Sequence, residues 1–218
     1  MNTIINLWNK YDYVYIKGLI GTLWLAAITV FIATIIGTFI AIMKLSKIKV
    51  LDIITTAYIE ILRGTPILLQ LYFFWLLLPK ILSFNLSDTA CIIVALIVNA
   101  SSYVAEVIRA GIQAVDKGQT EAAKSLGLSN WNTMRKIILP QAVKNILPAL
   151  GNEYITMVKQ TSLASVFFVK ELMTSYKTVQ SATFLALPSL IIAGIIYFVV
   201  TSLLSKGLSI LEMRLQND

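Results

Sequence analysis

"TVQSATFLALPSLIIAGIIYFVVTSLLS", residues 178–205, runs for 28 positions without a charge. A helix needs roughly 20 predominantly apolar residues to cross the hydrocarbon core of a bilayer, so this stretch by itself points to a membrane protein. Two further uncharged runs, 25 residues over 19–43 and 17 over 89–105, repeat the signal. They place spans at about 180–206, 19–44 and 87–111. The whole chain agrees: 57% of its residues are hydrophobic, 13% are charged and the mean hydropathy is +0.79. A soluble domain carries about 25% charged residues, so this chain lacks the polar surface a globule needs.

Two weaker spans complete the count. Residues 52–79 hold Glu60 and Arg63 ahead of an uncharged run, and 147–169 hold Glu153 and Lys159. Such groups are tolerated in a span when they face protein or water rather than lipid. The expected fold is an all-α polytopic membrane protein, one transmembrane domain over 1–218 with five helices. The N-terminus mixes charges (Lys10, Asp12, Lys17) and lacks a small-x-small cleavage site, unlike a signal peptide. Histidine is absent and Cys91 is the single cysteine, so no metal site of ordinary type is expected.

Lysine and arginine set the orientation. Lys44, Lys47, Lys49, Arg109, Lys117, Lys124, Arg135, Lys136, Lys144, Lys206 and Arg214 fall on one side of the five spans. Lys10, Lys17, Lys80, Lys170 and Lys177 fall on the other. The positive-inside rule makes the first group cytoplasmic, with the N-terminus outside and the C-terminus inside. That bias accounts for most of the net charge of +7, and no nucleic-acid partner is expected. Ala33, Gly37 and Ala41, four apart in the first span, form a small-residue stripe. It suits an intramolecular contact or a dimer face, or arises by chance in an Ala-rich helix.

Between the third and fourth spans, about 113–147, the chain holds out a polar cytoplasmic arm. Lys117 to Leu126 is rich in helix formers, and Gly127 stands where a left-handed C-terminal cap belongs. Ser129 is placed to N-cap a second helix, on which Trp131, Met134 and Ile138 make one apolar stripe. Pro140 is expected to stop it. The arm therefore reads as a helix–turn–helix elbow that either folds back on its own spans or meets a partner.

The spacing within the arm resembles a known signature. Glu121-Ala122-Ala123, then Gly127, then Ile137-x-Leu139-Pro140 fills every position of the E-A-A, G, I-x-L-P pattern of binding-protein-dependent ABC importer permeases. "EILRGTPILLQL" (60–71), the block from Ser101 to Ser129 and "LPALGNEYITMVKQTSLAS" (147–165) are similar to the polar amino-acid branch of that family. The resemblance implies the type I ABC importer fold and a bacterial cell (inner) membrane location. It also implies a second permease copy, in a homodimer or with a paralogue, two ATPase subunits and an extracytoplasmic amino-acid-binding protein. By the same analogy Glu121, Ala122, Ala123 and Gly127 form the turn that docks on the ATPase, while Pro140 and Pro148 fix the return into the fourth span. The chain has no G-x-x-x-x-G-K-[ST] phosphate loop. It is therefore expected to be no enzyme and to hold no cofactor, with ATP and magnesium on the partner.

Ionisable and amide groups inside spans are the candidates for substrate contact. Asn99, Ser102, Glu106 and Arg109 share one face of the third span, where Asn99 and Ser102 suit a path and Glu106–Arg109 a structural ion pair. Glu153, Thr156 and Gln160 share a stripe on the fourth, with Glu153 bracing the arm or touching substrate. Lys159 points elsewhere unless the helix unwinds near "KQTSLAS", as transporter helices do around substrates. Glu60 and Arg63 are expected to pair with each other before a kink at Pro66, leaving Gln70 as the pore candidate. Lys159, Gln160, Asn99 and Glu153 hold the donors and the anion that a zwitterionic amino acid requires, and a second acidic group would favour a cationic side chain; a polar, preferably basic, L-amino acid is the expected cargo. Glutamine or glutamate is the alternative cargo. An ion-coupled carrier predicts two similar halves, and five spans with one long arm do not divide so.

Overall fold

The computed structural model describes residues 2–46, 48–82 and 86–217, with side chains to 215. Lys47, one of the expected cytoplasmic charges, lies outside the described residues. Nine α-helices follow one another among them, with no strand: α1 (Asn2–Leu45), α2 (Lys49–Gly64), α3 (Ile67–Ile81), α4 (Asp88–Gln113), α5 (Lys117–Ser125), α6 (Asn130–Thr133), α7 (Leu139–Gln160), α8 (Leu172–Thr183) and α9 (Ala186–Asn217). A π-helical turn, Met134–Ile138, joins α6 to α7, and a 3-10 helix, Thr161–Phe167, follows α7.

α4 is the axis of the bundle. Its residues Ile92, Ala95, Leu96, Ala100, Val104 and Ala105 are buried among α1, α3 and α7. α1 approaches it on the small-residue stripe, which is thereby an intramolecular contact. A Cβ at Gly37 would sit 2.8 Å from Val104 Cγ1 and 2.9 Å from the Ser101 carbonyl oxygen. Ala33 and Ala41, both fully buried, complete that seam. α1 itself is 44 residues long, about 66 Å at 1.5 Å per residue, so the expected span is only its second half. The first half forms a second core with α8 and α9 through Leu7, Tyr15, Leu172, Val179, Ile192 and Ala193.

By length and apolarity α1, α4 and α9 qualify as membrane spans, and the pair α2–α3 makes a fourth. That pair is bent by 110°: where a kink was expected at Pro66, the chain breaks. Thr65 and Pro66 are both extended, because a residue before proline is pushed out of the helical region. α7 carries Lys144, Glu153 and Lys159 and is less apolar than the other three. Its expected extension to residue 169 is not α-helical but the 3-10 helix. The last expected span, 180–206, is interrupted at Phe184, whose φ of 58° ends α8, and it restarts at Ala186.

Candidate functional site

The arm is a helical hairpin closed by one glycine. Asp116 caps α5 by accepting from Gly118 N at 2.7 Å. At its other end Gly127 N donates to Lys124 O at 2.9 Å and Leu128 N to Ala123 O at 3.0 Å. This pair of bonds is the Schellman closure, which needs a left-handed residue, and Gly127 supplies it with φ +81°. Ser129 then caps α6, accepting from Asn132 N at 3.3 Å, as its position predicts.

Pro140 does not stop the helix, contrary to expectation. The chain stays helical from Asn130 to Gln160. Pro140 falls in the first turn of α7, just beyond the π turn, in which Leu139 N reaches back to Met134 O. Gln141 Nε2 donates to the Ile137 carbonyl at 2.9 Å, one residue along from the carbonyl that proline leaves without an N–H. The apolar stripe divides between the two uses open to it. Ile138 is buried in the main core, whereas Trp131 and Leu126 are 69% and 83% exposed. Ala123 is buried, and Glu121 and Ala122 face outward with them.

Inside the bundle, Gln70 and Asn99 meet at the α2–α3 break. Gln70 Nε2 donates to Leu62 O and Thr65 Oγ1, each at 2.8 Å, and Asn99 Nδ2 donates to Gln70 Oε1 at 2.9 Å. Both side chains are buried and serve the carbonyls that the broken helix leaves open. Ser102 is fully buried and bonds the Asn99 carbonyl of its own helix. Tyr58, which the sequence pattern does not single out, braces the same region by bonding Val98 O and Ser101 Oγ.

The expected ion pair of α4 is present as a fork, with Arg109 Nε to Glu106 Oε1 at 3.0 Å and Nη2 to Oε2 at 2.8 Å. Arg63, however, does not pair with Glu60. It lies 3.7 Å from Glu106 and over the Tyr103 ring at 5.2 Å, because α2 packs across α4 and brings an acid on another helix into reach. Glu60 faces outward.

On α7, Lys159 is exposed and Glu153, Thr156 and Gln160 are half-buried. Glu153 forms none of the ion pairs found among the described residues. The helix changes character where the sequence suggests, immediately after Gln160, as the tighter 3-10 turn begins at Thr161. Gln160 Oε1 is buried without a hydrogen-bond donor. α7 thus presents a cation, a carboxylate and a free amide acceptor toward one end of a continuous rod whose other end is the arm.

Residues 33–216 match the family of binding-protein-dependent transport system inner membrane components. The chain belongs to that family. It is similar to a solved structure described as an amino acid ABC transporter with histidines, at 46% identity over 94% of this chain and 95% of that one, with a TM-score of 0.90. The inward-facing MetNI methionine ABC transporter shares the fold at 18% identity, with a TM-score of 0.70 over 92% of this chain and 97% of that one. Among relatives, the arginine transport system permease protein ArtQ of Bacillus subtilis is 37% identical over 203 residues, 93% of each chain. The putative glutamine transport system permease protein GlnP of Rickettsia bellii is 36% identical over 200 residues, 92% of each. The all-helical permease architecture of type I ABC importers, expected from the arm, is therefore the fold of this chain.

Proposed function

We propose that this chain is the permease subunit of an ATP-driven importer of a polar, preferably basic, L-amino acid. The observation that carries the reading is the arm, in which a left-handed glycine turn holds Leu126, at the end of α5, and Trp131, on the helix that runs on into α7, out to solvent. An exposed apolar edge of this kind suits a partner surface. In the proposed cycle a cytoplasmic ATPase, which holds the ATP and magnesium, grips the arm around Glu121, Ala122, Ala123 and Gly127. Its closure and opening move α7 between inward- and outward-open states. Two permeases, most simply two copies of this chain, work with two ATPases and receive the amino acid from an extracytoplasmic binding protein. The chain crosses a bacterial cell membrane five times, N-terminus outside and C-terminus in the cytoplasm, with α7 and the following 3-10 helix as the fourth crossing. Lys159 takes the substrate carboxylate, and Glu153 and Gln160 take its cationic end. The basic preference is supported by the half-buried Glu153 carboxylate, which has no ion-pair partner among the described residues, and by the likeness to the arginine permease.

The test is uptake by the complex of permease, ATPase and binding protein in proteoliposomes, with arginine, lysine, histidine, glutamine and glutamate as competitors. Competition by arginine, lysine or histidine is the expected result. Competition by glutamine or glutamate alone favours the cargo named for the Rickettsia relative. Uptake that survives removal of ATP and follows an ion gradient would refute the ATP-driven reading.

A further inference from the structure

Among the described residues Glu171 is the one acidic or basic side chain that is fully buried, with 0% exposure. It makes no ion pair there. Its carboxylate is held instead by donors: Oε2 accepts from Met173 N at 2.7 Å and from the Tyr197 hydroxyl at 3.1 Å, and Oε1 accepts from Thr174 N and from Thr174 Oγ1 at 2.8 Å. The two backbone donors are the first turn of α8, where the helix dipole favours an anion. Tyr197 belongs to α9, so this one carboxylate ties α8 to α9. The neighbouring backbone is tied to α1, since Leu172 N donates to Thr22 Oγ1 at 3.0 Å. Glycine allows that approach: a Cβ at Gly21 would overlap the Lys170 carbonyl oxygen, and one at Gly18 would overlap Ser175 Oγ.

The segment leading into this junction is fixed along its length. Lys177 Nζ donates to Ser165 O at 3.0 Å, and the one Thr174 hydroxyl hydrogen is shared between Glu171 Oε1 and Val169 O, the latter 2.6 Å away. Phe167 is wedged between Tyr72 and Trp75 of α3, with ring centroids 4.9 and 5.6 Å away. The 3-10 helix Thr161–Phe167 is therefore packed on α1, α3, α4 and α8, and begins at the Lys159–Gln160 end of α7. An unneutralised buried carboxylate is costly unless its hydrogen bonds are complete, and here an apolar contact would have served packing alone.

We infer that Glu171 is a positioning residue for transport: it fixes the segment after α7 to a three-helix junction, so that the Lys159–Gln160 end of α7 works against a stationary wall. This rests on the reading of α7 as the driven helix of the amino-acid path. α7 and the arm are the moving body, the α1–α8–α9 junction with the 3-10 helix fastened to it is the stator, and the change from α to 3-10 turns at Gln160–Thr161 takes up the difference between them. 3-10 turns are held by poorer hydrogen bonds than α-turns and often mark hinges.

The test uses the full complex with its ATPase and binding protein in proteoliposomes. Glu171→Gln keeps the shape and removes the charge, Glu171→Asp keeps the charge, and Tyr197→Phe removes one bond. For Glu171→Gln the maximal uptake rate should fall about tenfold or more, the loss typical of a charge-assisted hydrogen-bond network. The apparent KM for loaded binding protein and the basal ATP hydrolysis should stay unchanged. Glu171→Asp should restore part of the rate, and Tyr197→Phe should lower it by roughly threefold, as for one hydrogen bond. Wild-type uptake by Glu171→Gln overturns the inference, as does a parallel loss of ATP hydrolysis and uptake, which marks a merely structural residue. If Glu171→Gln fails to accumulate, Tyr197→Phe decides: reduced uptake at full ATP hydrolysis supports the inference, and wild-type uptake overturns it. Uptake of no amino acid by the wild-type complex defeats the functional reading itself, and this inference with it.

Discussion

Gly127 offers a test in which backbone conformation can be separated from sterics. Its φ is +81° and no atom lies within 4 Å of the position a Cβ would occupy. A substitution there meets open space, so its whole cost is the left-handed backbone. For an ordinary L-residue that cost is about 1–2 kcal/mol, which lowers the population of the closed arm relative to its open forms by roughly 5- to 30-fold. Asparagine tolerates the conformation and should lose only a few tenths of a kcal/mol, roughly as it does in other left-handed caps. The expected order of coupled uptake, normalised to permease in the membrane, is Gly, then Asn, then Ala, with Val lowest because its branched Cβ fits this region worst. Gly127→Asp should fall below Asn, since it adds an anion at the C-terminal end of α5, unfavourable by about 0.3–1 kcal/mol. The assay is ATP-driven uptake together with retention of the ATPase on the purified permease. Wild-type values for Gly127→Ala would refute the turn as the feature that shapes the arm. An Asn variant as poor as Ala would show that the loss is chemical rather than conformational.

Other perturbations isolate other links. Gln70→Leu strands the Leu62 and Thr65 carbonyls and the Asn99 amide, a loss of about 2–3 kcal/mol, and should lower the thermal midpoint in detergent by roughly 4–12 °C. Gly21→Ala should cost about 1–3 kcal/mol through overpacking against the Lys170 carbonyl. Gly194→Ala, in a helix with nothing within 4 Å, should be neutral or stabilise by up to about 1 kcal/mol; the same melting experiment reads both. Trp131→Ala removes a side chain that is 69% exposed and should leave permease stability within about 0.5 kcal/mol. Its retention of the ATPase should fall about tenfold, as for an aromatic anchor at an interface, measured by co-purification.

The parts legible in the sequence are those decided locally. Uncharged runs mark α1, α4 and α9 because lipid and core both select against charge. Gly127, Ser129 and the Glu106–Arg109 pair declare themselves by spacing along one helix. What stayed hidden depends on how helices cross. Whether Arg63 meets Glu60 or Glu106 is settled by the packing of α2 on α4, and no periodicity within α2 contains that answer. Gln70 and Asn99 carry polar side chains at span depth, which reads equally well as a path or as a brace. The 110° break, with its open carbonyls, shows what the two amides bond within the bundle, which no sequence pattern contains. Glu171 is quieter still, because its partners lie on α8, α9 and the same loop. Tyr197, moreover, sits inside the very run of 28 uncharged residues that marks the last span.

Pro140 carries the wider lesson about mechanism. Read as punctuation, it divides the arm from the fourth span and leaves a flexible joint between any partner and the interior. Inside a continuous helix a proline costs a backbone hydrogen bond, and here the helix nevertheless runs on, with Pro140 seated just after the wider π turn. The 31 residues from Asn130 to Gln160 therefore stay helical without a loop between them, through the π turn and past both Pro140 and Pro148. In the proposed cycle a displacement of the exposed Trp131 end reaches Lys159 and Gln160 through helix rather than loop, and the change to 3-10 turns at Thr161, ahead of the pinned segment, is where it is taken up. On the proposed reading, the turn where motion is absorbed is also the turn where Gln160 Oε1 is left without a donor.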